Sequence, residues 1–409
     1  MAILVEREVR MEDTAGYSGS EVAQYVREQP ILDLKDSISR LERSEQDLFN
    51  NIFEVDVSDE KSGNGSKMVF PEKMQDWVVS QFRNDGESPQ DVLERMSDQR
   101  VIEVVNRWTK EGGIYNPERL KRPKDFTKKD TYREDIEAAR KNCAFCDPLN
   151  RTPVTEKIGR LTDKYGTTCA NATKFAKFHE LILGPHNPFE QTRESFRSQV
   201  RKALEIARQV NKIDPLAQFF QFGENRGPDA AASLFHQHTQ VIISVSSMHF
   251  ADAERWHEAS VRYRQEKGRD LTSDWFLAHE MVGLGLKLPD SDGDILVVAS
   301  LTPKKEYGVV IVGPRMADPF SLSEKSIDTF WGVEDFMVGE LGIEQFNAAL
   351  YMPPFSRSDD YWRDFRPMFT FVRRTKSDMG IMEGAGTAVL SVDPKSFAPR
   401  MFSHLTKKA

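Results

Sequence analysis

Hydrophobic and polar positions change period several times along the chain, and each change marks an element. Apolar residues Leu34, Ile38, Leu41 and Leu48 recur at helical spacing and predict an amphipathic helix over 34–50. Similar patterns predict helices over 75–83, 89–96, 191–212 and 323–340. Short runs rich in β-branched and aromatic residues predict strands at 217–222, 241–245, 307–312, 347–352 and 368–373. Ser58–Ser66 is polar and glycine-bearing and reads as a loop.

One sequence of elements occurs twice. His179–Leu183, the turn Gly184-Pro185, the helix at 191–212, the strand at 217–222, a loop and a last strand form the first copy. Tyr307–Val312, Gly313-Pro314, the helix at 323–340, the strand at 347–352 and Met368–Arg373 form the second. The fold class is α+β: two pseudo-repeated sheet or half-barrel units with helices packed on the sheet, after a mainly helical N-terminal extension. The divisions are 1–100 for the extension, 101–250 for a catalytic unit and 251–409 for a second, degenerate unit. The extension is assigned no chemistry. It could cap a cleft, make a homodimer contact or cover the sheet.

The most informative segment is Ser233-Leu234-Phe235-His236-Gln237-His238-Thr239-Gln240, just ahead of the apolar run 241–245. Alternate side chains of an extended chain point the same way, so His236, His238 and Gln240 are expected on one face at steps of about 7 Å. With only 8 histidines in 409 residues, two in three positions form a cluster. An imidazole there can be a metal ligand, a base or a nucleophile. The preceding loop, Glu224–Ser233, holds Gly227 and a run of alanines. Small residues let backbone approach a ligand, and successive N–H groups can cradle an anion beside His238.

Cysteine usage adds a second centre. The chain has three: Cys143 and Cys146 form a CxxC, and Cys169 stands alone. That count suits a reducing, cytoplasmic setting and argues against a disulfide scaffold. The flanks Arg140–Asn142 and Asp147–Asn150 read as a turn, unlike the strand-to-helix setting of a redox pair. A zinc half-site fits better, and His186 and His236 are the best placed further ligands. His179 reads as a core or nucleotide-side residue, and His249 and His257 as surface groups.

Together, Cys143 and Cys146, His186, the loop from Asn225 to Ser233, and the His236-x-His238-x-Gln240 motif resemble the galactose-1-phosphate uridylyltransferase branch of the histidine-triad (HIT) superfamily. In that family the loop Asn precedes the Ser by eight positions and the Ser precedes the first His by three, as here. Tyr115–Pro123 resembles the family's segment with two arginines and a proline ahead of the CxxC. Asn171–Phe175 resembles its Asn-x-Phe segment, with two extra residues.

The resemblance implies a HIT-like fold and a nucleotidyltransferase. His238 would be the nucleophile that takes a nucleoside monophosphate from a nucleotide donor. Gln240 would hold the nucleotidylated intermediate and Ser233 its phosphate. Arg119, Arg122, Asn171, Phe175, Asn225 and Gly227 would contact the nucleotide, and Cys143, Cys146, His186 and His236 would bind a structural zinc. The donor would be a nucleotide sugar or a nucleoside polyphosphate, and the acceptor a sugar 1-phosphate or another phosphate. A phosphorylase of dinucleoside polyphosphates or nucleotide sugars is the alternative within this chemistry; a zinc-stabilised nucleotide-binding protein without turnover is the alternative outside it. Gln240 is a neutral amide that cannot deliver a proton, which favours a phosphate acceptor over water.

The second unit departs from the family. Arg315 stands where His186 does, Phe369-Thr370-Phe371 stands near the position of the HxH, and no histidine lies between His279 and His404. A second metal held by a histidine pair and a glutamate near Glu254 is therefore not expected. Arg315, Tyr351, Arg366, Arg373, Lys376 and Glu383 are expected to line a pocket for an anionic acceptor.

Charge and hydropathy restrict the partners. The net charge of −8 argues against broad nucleic-acid binding. The basic stretch 119–133 could steer an anionic nucleotide. No apolar run is long enough to span a membrane, and Met1–Arg10, with Glu6 and Glu8, lacks a signal-peptide core. With 39% hydrophobic and 29% charged residues, the chain is expected to fold.

Overall fold

The computed structural model describes residues 19–408 except 64, 66, 124–130, 317, 356–359, 363 and 376–380. Among the described residues of the first hundred there are five α-helices: α1 (Gly19–Glu28), α2 (Leu34–Ile38), α3 (Arg43–Ile52), α4 (Glu72–Phe82) and α5 (Pro89–Ser97). The helix expected over 34–50 is two helices. Glu42 restarts the chain through a capping box with Glu45, whose carboxylate accepts from the Glu42 N–H. The apolar stripe survives the break, since Leu34, Ile38, Leu41, Phe49 and Ile52 are all buried. The loop at 58–66 lies partly outside the described residues.

A small sheet joins the two ends of the chain. β1 (Phe53–Ser58), β2 (Val101–Asn106) and β3 (Gly112–Tyr115) pair in antiparallel order, and β14 (Thr387–Leu390) adds to β3 in parallel. The short helices α6 (Tyr132–Ala139) and α7 (Pro148–Arg151) follow β3.

Among the described residues the main sheet has ten antiparallel strands. Five come from the first unit: β4 (Thr162–Asp163), β5 (Gly166–Ala170), β6 (Phe178–Leu183), β7 (Phe219–Arg226) and β8 (His238–Ser244). Five come from the second: β9 (Gly285–Leu288), β10 (Ile295–Ala299), β11 (Val309–Val312), β12 (Phe346–Tyr351) and β13 (Met368–Arg373). Their order is β4-β5-β6-β8-β7-β12-β13-β11-β10-β9, so the order from each edge to the centre is the same in both units, and β7 and β12 pair in the middle.

The two faces of the sheet are treated differently. Helices α8 (Arg193–Ile213) and α11 (Glu324–Gly339) cover one face, where Phe196 meets the edge of Phe222 and Phe330 stacks on Phe369 at 4.9 Å. Thr192 starts α8 by accepting from the Ser195 N–H. On the other face α9 (Ala251–Lys267) and α10 (Leu271–Met281) cover the second unit only in part. The short α12 (Ile381–Gly384) and α13 (Ala398–Lys408) complete the chain. Among the described residues no helix is long and apolar enough to cross a membrane.

An ionic group lies under the central strands. The Arg226 guanidinium donates to Glu224 at 2.8 Å and to Gln191, and Glu334 of α11 lies 3.9 Å away. All three charged residues are buried, and burial pushes the Glu334 carboxyl up. Just past β7, Gly227 has φ +82° and ψ 162°, a region open essentially to glycine alone. A Cβ there would lie 2.6 Å from the Gln345 side chain.

Two stability measurements test this picture. Arg226→Ala leaves the buried Glu224 carboxylate without its cation and should cost about 3–5 kcal/mol by denaturant titration; an unchanged midpoint would contradict it. Gly227→Ala should lose more stability than Gly86→Ala. Gly86 also has a positive φ but nothing within 4 Å of a Cβ, so its cost is the backbone term alone, about 1–2 kcal/mol. Equal losses would remove the steric argument at Gly227.

Candidate functional site

The CxxC lies in a tight turn, Ala144–Cys146, as its flanks suggest. That turn brings both thiols to two histidines from distant parts of the chain. Cys146 Sγ lies 3.2 Å from His186 Nδ1 and 3.5 Å from His236 Nδ1, and Cys143 Sγ lies 3.4 Å from His236 Nδ1. The four donor atoms fall within 4.8 Å of one another and could hold a metal ion. Backbone carbonyls fix both rings: His186 Nε2–H donates to Ile136 O at 2.8 Å, and His236 Nε2–H donates to Gly184 O at 2.9 Å. Each imidazole is thus held as the tautomer whose Nδ1 lone pair faces the thiols. Burial lowers the His236 pKa to about 4, which keeps the ring a neutral donor.

The expectation that His236, His238 and Gln240 share one strand face is corrected in part. β8 begins at His238, and His236 lies in the turn before it, facing the thiols. His238 and Gln240 do share a face. The ring edge of Phe145, inside the CxxC, contacts both His236 and His238, with centroids at 5.7 and 5.3 Å.

His238 is only 8% exposed, and its Nδ1–H donates to the His236 carbonyl at 2.7 Å. That bond leaves the lone pair on Nε2. Burial lowers the His238 pKa, which favours the neutral ring.

Gln240 has a partner that the sequence did not assign. His179 Nε2–H donates to Gln240 Oε1 at 2.9 Å, which leaves the amide N–H groups of Gln240 for another acceptor. His179 is 2% exposed, and no protein group reaches its Nδ1. The Asn171 amide lies 3.2 Å from His179 Nε2, and Phe175, itself 69% exposed, packs on the His179 ring at 4.3 Å. Asn171, Phe175, His179 and Gln240 therefore gather in one place. The only sequence signal for His179 was its position at the start of an apolar strand.

Asn225, near the end of β7, lies on the same face as Gly223 and accepts from Asn347 of β12 at 2.7 Å. Ser233 is exposed in the loop before β8. Arg119 and Arg122 are exposed at the short turn Pro117–Lys121, and among the described residues no contact joins them to His238. The rest of that basic stretch, 124–130, lies outside the described residues.

Several expectations for the second unit change. His257 is buried at 2% and stacks on Trp362 at 4.5 Å, so it belongs to an aromatic core. His249 is half-buried. The proposed acceptor-pocket arginines are engaged elsewhere. Arg315 pairs with Asp364, Arg366 donates to the Gly313 and Asp294 carbonyls, and Arg373 pairs with Glu306. Glu383 pairs with Lys305, Tyr351 is buried against Phe250, and Lys376 lies outside the described residues.

No family model matches the chain, and no curated protein matches it. Solved structures do. An ADP-glucose phosphorylase from Arabidopsis thaliana with bound ADP-glucose aligns at a TM-score of 0.56 and 15% identity, covering 73% of this chain and 97% of that one. A GalT-like protein from Arabidopsis thaliana aligns at 0.52 and 14%, covering 64% and 92%. A uridylyltransferase aligns at 0.46 and 16%, covering 63% and 90%. At this identity the likeness is one of fold: the chain shares the fold of the ADP-glucose phosphorylase and of the GalT-like protein.

Proposed function

We propose that the chain is a nucleotidyltransferase that works through a nucleotidyl-His238 intermediate. The observation that carries this reading is the His238 hydrogen bond to the His236 carbonyl, which holds the ring as the tautomer with a free Nε2 lone pair. That lone pair would attack the α-phosphorus of a nucleotide donor. A P–N bond forms, the bridging P–O bond breaks, and the leaving phosphate departs with the electron pair. The positive charge gained by the ring is shared with the carbonyl that accepts its Nδ1–H. A phosphate oxygen of the acceptor then attacks the same phosphorus and returns the electron pair to Nε2. Two displacements in sequence give ping-pong kinetics.

Charge spreading over the phosphoryl oxygens needs fixed donors. The Gln240 amide would supply them, because His179 holds its carbonyl oxygen and so aims its N–H groups. Ser233 would bind the same phosphate from the loop. Asn171 and Phe175 would hold the nucleoside, with Phe175 offering an exposed ring face, and Asn225 and Gly227 would line the approach. Arg119 and Arg122 would engage the nucleotide from the rim.

Cys143, Cys146, His186 and His236 would hold a structural zinc. Zn–S of about 2.3 Å and Zn–N of about 2.0–2.1 Å at a tetrahedral angle set S and N about 3.6 Å apart. Three of the four S···N separations, at 3.2–3.5 Å, are close to that spacing. Held by these four residues, an ion would fix the turn carrying His236, whose carbonyl orients His238. The two units are read as copies of one ancestral unit, a view supported by their common strand order.

Incubation with labelled nucleotide donors should leave an acid-labile, base-stable label on the chain. His238→Ala should abolish both label and turnover with melting little changed; a phosphoramidate adduct on that variant would exclude His238. Metal analysis should find zinc equimolar with the chain. Chelation should lower the melting temperature, and Cys143→Ser and Cys146→Ser should each bind zinc more weakly. Wild-type protein free of zinc, with melting insensitive to chelator, would refute the metal assignment.

A further inference from the structure

Asn225 is held from the second unit. It stands on β7 one residue past Glu224, which pairs with Thr239 of β8. Alternation therefore places Asn225 beside His238 on the same face of the sheet. Its partner across the central seam is Asn347 of β12, and both are half-buried. The Asn347 Nδ2 group donates twice, to Asn225 Oδ1 at 2.7 Å and to the Ala230 carbonyl at 3.0 Å. The direction of both bonds is forced. A backbone carbonyl can only accept, so Asn347 must turn its NH2 group toward Ala230. Its second N–H then meets the oxygen of Asn225 and not the nitrogen. Both N–H groups of Asn225 lie on the branch of the amide turned away from Asn347. Among the described residues no protein group accepts from them.

The same strand region grips the loop that follows β7. The buried Gln345 accepts from the Asp229 N–H at 2.8 Å and donates to the Asp229 carboxylate at 3.2 Å. The loop needs such holding, because Ala231 has φ 63° and ψ 25°, a left-handed conformation that alanine rarely adopts. Two side chains of the second unit thus act on this segment in different ways. Gln345 anchors the loop at Asp229. Asn347, itself oriented by Ala230, sets the amide of Asn225.

We infer that Asn347 is a positioning residue for phosphoryl transfer, one that holds Asn225 with its amide N–H groups free to donate to a phosphoryl oxygen at His238. The inference rests on the proposed attack by His238 Nε2 at the α-phosphorus. Asn347 does for Asn225 what His179 does for Gln240. Each amide has its oxygen held from behind and so offers only donors to an anion. A carboxamide without such a partner presents oxygen as readily as nitrogen, and the oxygen repels a phosphate. The second unit, which lacks the histidines of the first, would then enter the site through its central strand.

The test is a double-variant cycle read in the rate constant for labelling at saturating donor. The donor is whichever of ADP-glucose, UDP-glucose and diadenosine tetraphosphate labels the wild type fastest. Asn225→Ala removes a donor to the spreading charge and should slow labelling about 100-fold. Asn347→Leu has similar size but no N–H, and should slow labelling about tenfold or more, through kcat rather than KM. Asn347→Ala should act in the same direction and replaces it if the leucine disturbs folding. Combined with Asn225→Ala, either Asn347 change should cost about twofold or less, because no amide is left to aim. Gln345→Leu loosens only the loop, and its loss should persist in full beside Asn225→Ala. Losses at Asn225 and Asn347 that multiply, unchanged labelling in the Asn347 variants, or a Gln345→Leu loss that vanishes in the same way would each overturn the inference. If no donor labels the wild type, the His238 reading fails by itself. Calorimetric titration with AMP and UMP then still decides the role of Asn347. Binding about tenfold weaker in Asn347→Leu, with no further loss on the Asn225→Ala background, supports it. Equal binding by wild type and Asn347→Leu, or no binding by wild type, refutes it.

Discussion

The pairing of β7 with β12 is the constraint on which the rest depends. It joins two five-stranded halves into one sheet, and six residue pairs from Phe346–Arg226 to Tyr351–Gln221 fix its register. A shift of one residue would move every side chain to the opposite face. Glu224 and Arg226 would leave the buried ionic group, and Gly223 and Asn225 would leave the cleft. The ionic group guards against such a slip, because Arg226 meets Glu224 on its own strand and Glu334 on the covering helix of the other unit. Such groups add less to net stability than their Coulomb energy suggests, since both partners lose water. Their cost when mispaired gives specificity to the register.

The same register divides labour between the faces. Aromatic residues fill the face under α8 and α11, where close packing removes apolar surface from water. The other face is left partly uncovered and carries the residues proposed to react. His238 and Gln240 stand there on one strand, and each is oriented by a group from a different element. The His236 carbonyl holds His238, and the His179 imidazole holds Gln240. The last member of the thiol–imidazole cluster, His236, sits directly before β8, so its position is shared between a cluster that could hold a metal ion and the orientation of His238. A change at the cluster should therefore be felt at His238 without touching it.

Much of this was legible in the chain alone. Helices at 191–212 and 323–340 and the strand at 368–373 appear within a residue or two of their expected bounds, because a periodic apolar stripe and a capping residue are local signals. The four donors Cys143, Cys146, His186 and His236 could be grouped from residue type and spacing, because few other soft ligands exist in the sequence. Local signals also misled. The stripe from Leu34 to Leu48 continues through a break, since burial on one face does not require one unbroken helix. His257 looked like a surface group because its polar neighbours in sequence are not its neighbours in space.

By itself the sequence determined which residues could do chemistry: the paired histidines with glutamine, the thiol pair, and the glycine-bearing loop between two strands. Only the tertiary structure decided which of them meet. It turned His236 away from His238 toward the thiols, because the strand starts two residues later than alternation alone suggests. It set His179 against Gln240 across 61 residues of chain, committed Arg315, Arg366 and Arg373 to other partners, and set Asn347 of the second unit against Asn225. The physical reason is one of range. Propensity, capping and ligand type act over a few residues, whereas cross-strand register and the pairing of buried charges exist only once distant segments have packed.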